Sequence, residues 1–131
     1  MFIDASAIVA MMADESNAKL LAAHLMSATS RITSPMALWE ASVAYGRIFG
    51  LEPEAALREV ENYIQALNIT VIAIAPETAT AAIDAYQRFG KWRHPAGLNF
   101  GDCFAYACAR HLNMPLLYKG DDFSKTDIDA A

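Results

Sequence analysis

The feature that most restricts this chain is an alternation. Short runs of apolar and β-branched residues are separated by longer stretches of helix-forming residues, from one end to the other. Phe2-Ile3-Asp4, Arg31-Ile32-Thr33, Ile69-Thr70-Val71-Ile72-Ala73-Ile74 and Leu116-Leu117-Tyr118 read as strands, the third as a buried one. Ala5 to Ala13 reads as a helix, and Asn17 to Ser30 as a second with Leu20, Leu21, His24 and Leu25 on one side. Ser34-Pro35 starts a third, ending at Gly50, and Pro53 a fourth, ending at Ala66. Pro76 starts a fifth, to Gly90, and Gly101 to Leu112 is the last. Strands alternating with helices predict an α/β fold with a parallel sheet covered on both faces. Ligands of such sheets bind beyond the carboxyl ends of the strands, so the residues that follow each strand are the ones to search.

The 131 residues hold no repeat, low-complexity tract or linker, which predicts one domain over residues 1–131. With 55% hydrophobic and 19% charged residues, the chain is not of the disordered class. It carries more apolar surface than one small domain hides, which suggests a partner or a homodimer. A net charge of −5 argues against a module that grips duplex DNA by its phosphates. It is compatible with acids gathered around a cation. Cys103 and Cys108, five residues apart on one helix, point about 140° away from each other and suit a reduced, cytoplasmic chain. Asp4 interrupts the apolar start, so no signal peptide is expected, and no uncharged apolar run reaches the roughly 18 residues of a membrane span.

The acids carry the functional signal. Asp4 directly follows the first strand, where it also reads as a helix N-cap. Glu40 stands in a stretch, Met36 to Phe49, whose only other polar side chains are Ser42, Arg47 and the tip of Tyr45. A helix apolar on nearly all sides is expected to be buried, and a carboxylate within it must be paired, protonated or bound to a metal. Arg47, two turns on, is the available ion-pair partner. Asp102 opens a helix that continues Cys103-Phe104-Ala105-Tyr106-Ala107-Cys108, and it also suits the helix dipole, with Asn99 as a possible cap. Asp121 and Asp122 follow the last strand and read equally as a solvated turn. Taken together, these acids fall at one edge of the sheet. Carboxylates converging there would repel without a cation. Mg²⁺ takes one or two carboxylates plus waters, and such a site suits phosphodiester hydrolysis.

The ordered motifs resemble those of PIN-domain ribonucleases, in particular the VapC toxins of bacterial toxin–antitoxin pairs. Phe2-Ile3-Asp4-Ala5-Ser6 resembles the family's opening, Leu38-Trp39-Glu40-Ala41-Ser42 its second acid, and Asn99-Phe100-Gly101-Asp102-Cys103 its third. Leu117-Tyr118-Lys119-Gly120-Asp121-Asp122-Phe123, followed by Thr126-Asp127-Ile128, resembles the C-terminal signature of one VapC branch. The resemblance spans nearly the whole chain. It implies a three-layer α/β/α fold with a twisted parallel sheet, an Mg²⁺- or Mn²⁺-dependent endoribonuclease activity, a VapB-type antitoxin partner and a homodimer. It implies Asp4 and Asp102 as metal ligands, and Glu40 as an organiser of the site or a ligand of a second metal. Asp122 would be the fourth acid, with Asp121 sharing or replacing it, and Ser6 would orient Asp4 or a bound water.

The loop Lys91-Trp92-Arg93-His94 could hold RNA phosphates and stack on a base, or be a solvated loop. His24, His94 and His111 fit no metal-ligand spacing. Met36, Trp39 and Phe49 suit a core or a dimer surface better than an RNA platform. Three other readings compete. One is a catalytically silent PIN scaffold that acts by binding, and another is a nuclease that cleaves DNA. The third, a phosphoacceptor signalling domain with Lys119 after its last strand, would need an Asp after the middle strand, where the chain runs Ala73-Ile74-Ala75-Pro76.

Overall fold

A computed structural model describes all residues, 1–131. Four strands of two residues each, β1 (Phe2–Ile3), β2 (Ile32–Thr33), β3 (Thr70–Val71) and β4 (Leu116–Leu117), form one parallel sheet in the order β3-β2-β1-β4. Phe2 pairs with Ile32 on one side and Leu116 on the other, and Thr33 with Val71. Six helices connect and flank them: α1 (Ala5–Met12), α2 (Ala18–Ser27), α3 (Pro35–Phe49), α4 (Pro53–Ala66), α5 (Thr78–Phe89) and α6 (Phe100–His111).

Alternation along the strands builds two cores. Ile3 and Leu117 face a cluster with Ile8, Leu25, Val60 and Ile64 from α1, α2 and α4. Phe2 and Leu116 face the opposite cluster, with Phe89, Leu98 and Tyr106 around α5 and α6. Each fully buried Ile, Leu or Phe contributes roughly 1.5–3 kcal/mol. This is the three-layer α/β/α arrangement, and all four strands run their carboxyl ends to one edge.

The predicted helix ends hold for chemical reasons. Ser34 accepts a hydrogen bond from the Ala37 amide at 3.2 Å with Pro35 at the first helical position, and Gly50 closes α3 in the left-handed conformation at φ 64°. Pro53 and Ala66 bound α4 as expected. Three expectations need correction. The third apolar run is not a buried strand over 69–74: only Thr70–Val71 is strand, and both residues are exposed. It is an edge strand with only one side paired, and the run is anchored at its two ends, by Ile69 in one core and by the half-buried Ile74 against the other. In α2, Leu21 and Leu25 are buried but Leu20 faces outward, because the layer beneath accepts only one narrow stripe. In α3 only Ala37, Ala41, Ser42 and Gly46 are buried. Trp39, Ile48 and Phe49 are exposed, on different sides of the helix, and its fully buried positions are the small ones.

Candidate active site

The turn from β1 into α1 sets the first acid. The Asp4 amide donates to the Leu117 carbonyl of β4 at 2.9 Å, which fixes its backbone at the sheet edge. Its side chain, only 3% exposed, caps α1. Oδ2 accepts from the Ser6 amide at 2.9 Å and from the Ser6 hydroxyl. Ser6 Oγ in turn accepts from the Lys119 amide at 3.0 Å. A relay of hydrogen bonds thus ties the residue after β4 to the acid after β1 through Ser6.

Asp102 sits in the first turn of α6 in a reciprocal capping box. Asn99 Oδ1 accepts from the Asp102 amide at 3.0 Å, while Asp102 Oδ2 accepts from the Asn99 amide at 2.8 Å. Asp4 and Asn99 are thus the N-caps of α1 and α6, as read from the sequence, and Asp4 and Asp102 each engage a backbone amide through Oδ2 while the carboxylate still lines the cleft. Glu40 enters from α3. Its carboxylate forms neither a hydrogen bond nor an ion pair, and Arg47, the partner considered from sequence, does not reach it.

Asp4, Glu40 and Asp102, contributed by three distant parts of the chain, line one cleft of about 450 Å³ with Ser6 and Asn99. None of the three is neutralised by a basic neighbour. Burial raises the Asp4 carboxyl above its ordinary range, against the opposing effect of the Ser6 hydroxyl and the Ser6 and Ala5 amides. Glu40 is pushed up to about 7, by burial first and then by the charges of Asp4 and Asp102. Asp102 is raised to about 6, by burial and then by Asp4 and Asp122, while the Asn99 amide opposes the shift. Groups that shift one another in this way share one field.

The pair Asp121-Asp122 lies apart. Both are exposed, at the start of a 3-10 turn over Phe123–Lys125, and neither lines the cleft. Asp122 is felt at Asp102, whereas Asp121 acts on Tyr118. Lys91, Arg93 and His94 also stand outside. Lys91 and Trp92 border a second, apolar hollow of about 580 Å³ between α5 and α6, which meets the cleft at Asn99. Arg93 lies over the Tyr86 ring, and the His94 ring accepts from the Ala96 amide at 3.1 Å while packing edge-on against Phe89. His94 is thereby occupied in shaping its own loop.

The cleft includes four residues that the acid pattern did not single out as its walls: Glu15, Trp39, Arg47 and Lys119. The ammonium of Lys119 pairs with Glu15 across the opening. Only the position of Lys119 just after the last strand could have marked it.

No three acidic, histidine or cysteine side chains converge tightly enough to enclose a cation by themselves. The donor chemistry nevertheless fits a hard divalent ion: one buried and two half-buried carboxylates without ion pairs on an open cleft, where Mg²⁺ needs one or two such ligands and completes its shell with water. Asp4 and Asp102 would be those ligands.

Comparison with known proteins agrees with this geometry. The PIN domain family matches residues 1–129. The Ribonuclease VapC of Mycolicibacterium smegmatis is 39% identical over 130 residues, covering 99% of this chain and 98% of that one. Ribonuclease VapC30 of Mycobacterium tuberculosis is 39% identical over 128 residues, covering 98% and 95%. In three dimensions the chain is similar to the crystal structure of Mycobacterium tuberculosis VapC20, described as a sarcin-ricin loop cleaving toxin, with a TM-score of 0.75 at 18% identity over 99% of this chain and 97% of that one.

Proposed function

The chain belongs to the PIN domain family, with VapC ribonucleases among its full-length relatives, and from that premise we propose that it is an endoribonuclease toxin of a VapBC pair that requires Mg²⁺ or Mn²⁺. The observation that carries this reading is the meeting of Asp4, Glu40 and Asp102 in one cleft without a basic partner. Asp4 and Asp102 would hold the cation, which when bound polarises the phosphodiester and neutralises charge on the leaving oxygen. Ser6 and Asn99 hold those two acids in place. Glu40, whose carboxyl is pushed up to about 7 by burial and by the charges of Asp4 and Asp102, is suited to hold or accept a proton from the attacking water at neutral pH. Asp122 adds negative charge beside Asp102 and is the better candidate for the fourth acid than Asp121. Arg47 supplies positive charge on the cleft wall for RNA phosphates, beside Lys119, whose ammonium is shared with Glu15, and Lys91 borders the adjoining hollow with Arg93 nearby over Tyr86.

The same reading assigns a cytoplasmic setting and two protein partners. No helix is long and apolar enough to cross a membrane. A VapB-type antitoxin would cover the cleft, and Trp39, 65% exposed on its wall, offers apolar area for it. A second copy would cover the hollow between α5 and α6, where Ile83, Tyr86, Trp92 and Phe100 stand exposed together.

Single-stranded RNA incubated with the purified protein should be cut internally when Mg²⁺ or Mn²⁺ is present and left intact with a chelator. Asp4→Asn and Asp102→Asn should each lower the rate by about a hundredfold or more while the protein stays folded. Binding of RNA without cleavage under every cation would replace this reading with that of a silent scaffold.

A further inference from the structure

Gly101 occupies the second position of α6, between the cap and Asp102. Its backbone is ordinary: it is not among the residues with positive φ, so no left-handed conformation requires glycine. Glycine is a poor choice in a helical turn. The reason for it lies in the space beside its α-carbon. A β-carbon there would fall 2.0 Å from Glu40 Oε1, 2.3 Å from Oε2 and 2.4 Å from Cδ, and these are its three nearest neighbours. Glu40 itself is held by no hydrogen bond or ion pair. Its carboxylate is located by what it rests against, and on one side that is the bare backbone of Gly101.

We propose that Gly101 is a positioning residue for the reaction: its missing side chain is the seat that places the Glu40 carboxylate between Asp4 and Asp102. The inference rests on the nuclease reading above and goes beyond it by assigning a role to a residue with no chemistry of its own. The atoms that a methyl group at position 101 meets first are all at the far end of a flexible side chain, so the fold accommodates it and Glu40 moves. Its carboxylate then leaves the field it shares with the other two acids.

The test uses the full chain and four proteins: wild type, Gly101→Ala, Glu40→Ala, and the double variant. Gly101→Ala should keep the thermal midpoint of wild type or exceed it, while kcat for RNA cleavage falls by about a hundredfold, as for a misplaced catalytic group. The double variant should be no slower than Glu40→Ala, within a factor of about two, because the seat has no use once its occupant is gone. A crystal structure of Gly101→Ala should show the carboxylate displaced, a readout independent of activity. Full activity in Gly101→Ala, or a further loss in the double variant comparable to that in the single one, would overturn the proposal while leaving the nuclease reading intact. Absence of cleavage by wild type would instead defeat the nuclease reading, and the displaced or undisplaced carboxylate would still decide the seat.

Discussion

Glu40 and Asp102 show how single side chains link stability to function. Both carboxyls keep their proton to higher pH in the folded chain than in the unfolded one, where they titrate near ordinary values of about 4. Their contribution to stability is thus fully present below about pH 4 and is lost as pH rises through about 6 for Asp102 and about 7 for Glu40. Without divalent cation, the thermal midpoint of wild type should decline from about pH 5 to about pH 8 more steeply than that of Glu40→Gln. Added Mg²⁺ should raise the midpoint more at the upper end of that range, since the acids must be deprotonated to bind it. Parallel pH profiles for wild type and Glu40→Gln would show that Glu40 does not titrate in this window. Which residues would crowd together was legible from their order in the chain. That Glu40 has no partner was not, because Arg47 stands at a spacing that could reach it and only the packing of α3 decides that it does not.

At the scale of elements, the caps do double duty. Asp4 caps α1 and Asp102 completes the box that Asn99 caps at α6, and both carboxylates still line the cleft, because the first turn of a helix lies at its open end, which the parallel sheet brings to its carboxyl edge. Asn99→Ala removes the acceptor for the Asp102 amide and should destabilise the protein by about 1 kcal/mol, with Asn99→Ser restoring most of it. Chemical denaturation measures this, and equal stability of Asn99→Ala and wild type would mean that the box adds nothing. Helix positions were readable wherever a Ser-Pro, a Pro or a Gly punctuated the chain. Burial was less so. The apolar run at 69–74 and the apolar helix α3 both promised core, yet one became an outer strand and the other turned Trp39, Ile48 and Phe49 outward. Hydrophobicity states what a segment could bury, and its neighbours determine how much of it is covered.

The whole molecule uses its apolar excess on surfaces as well as in cores. Ile83 (67% exposed), Trp92 (90%) and Phe100 (71%) gather at the hollow between α5 and α6, on the far side of the sheet from α3. If this face joins two copies, wild type should sediment as a dimer at micromolar concentration. Ile83→Lys combined with Trp92→Ser should halve its mass without unfolding it, since exposed positions contribute little to the monomer. A monomeric wild type, or a variant that remains dimeric, would remove the hollow from the interface. The C-terminal segment is fastened to the same layer: Asp127 accepts from Tyr106 and Arg88 at 2.6 Å each, and the Ala131 amide donates to the Leu116 carbonyl at 3.0 Å. This C-terminal segment is thus a strap along β4, held by the partners of Asp127 that only the tertiary structure brings near.

The alternation of strand and helix, the position of each acid after a strand or at a helix start, and the family to which the chain belongs were settled by the linear order of residues, because periodicity, punctuation and motif order are local properties. Tertiary structure alone decided which apolar faces are covered, that Arg47 leaves Glu40 unpaired, that Lys119 closes on Glu15, and that Gly101 makes room for a carboxylate sixty-one positions away in the chain. These depend on distances between segments, and a sequence encodes such distances only through the energy of the whole packed molecule.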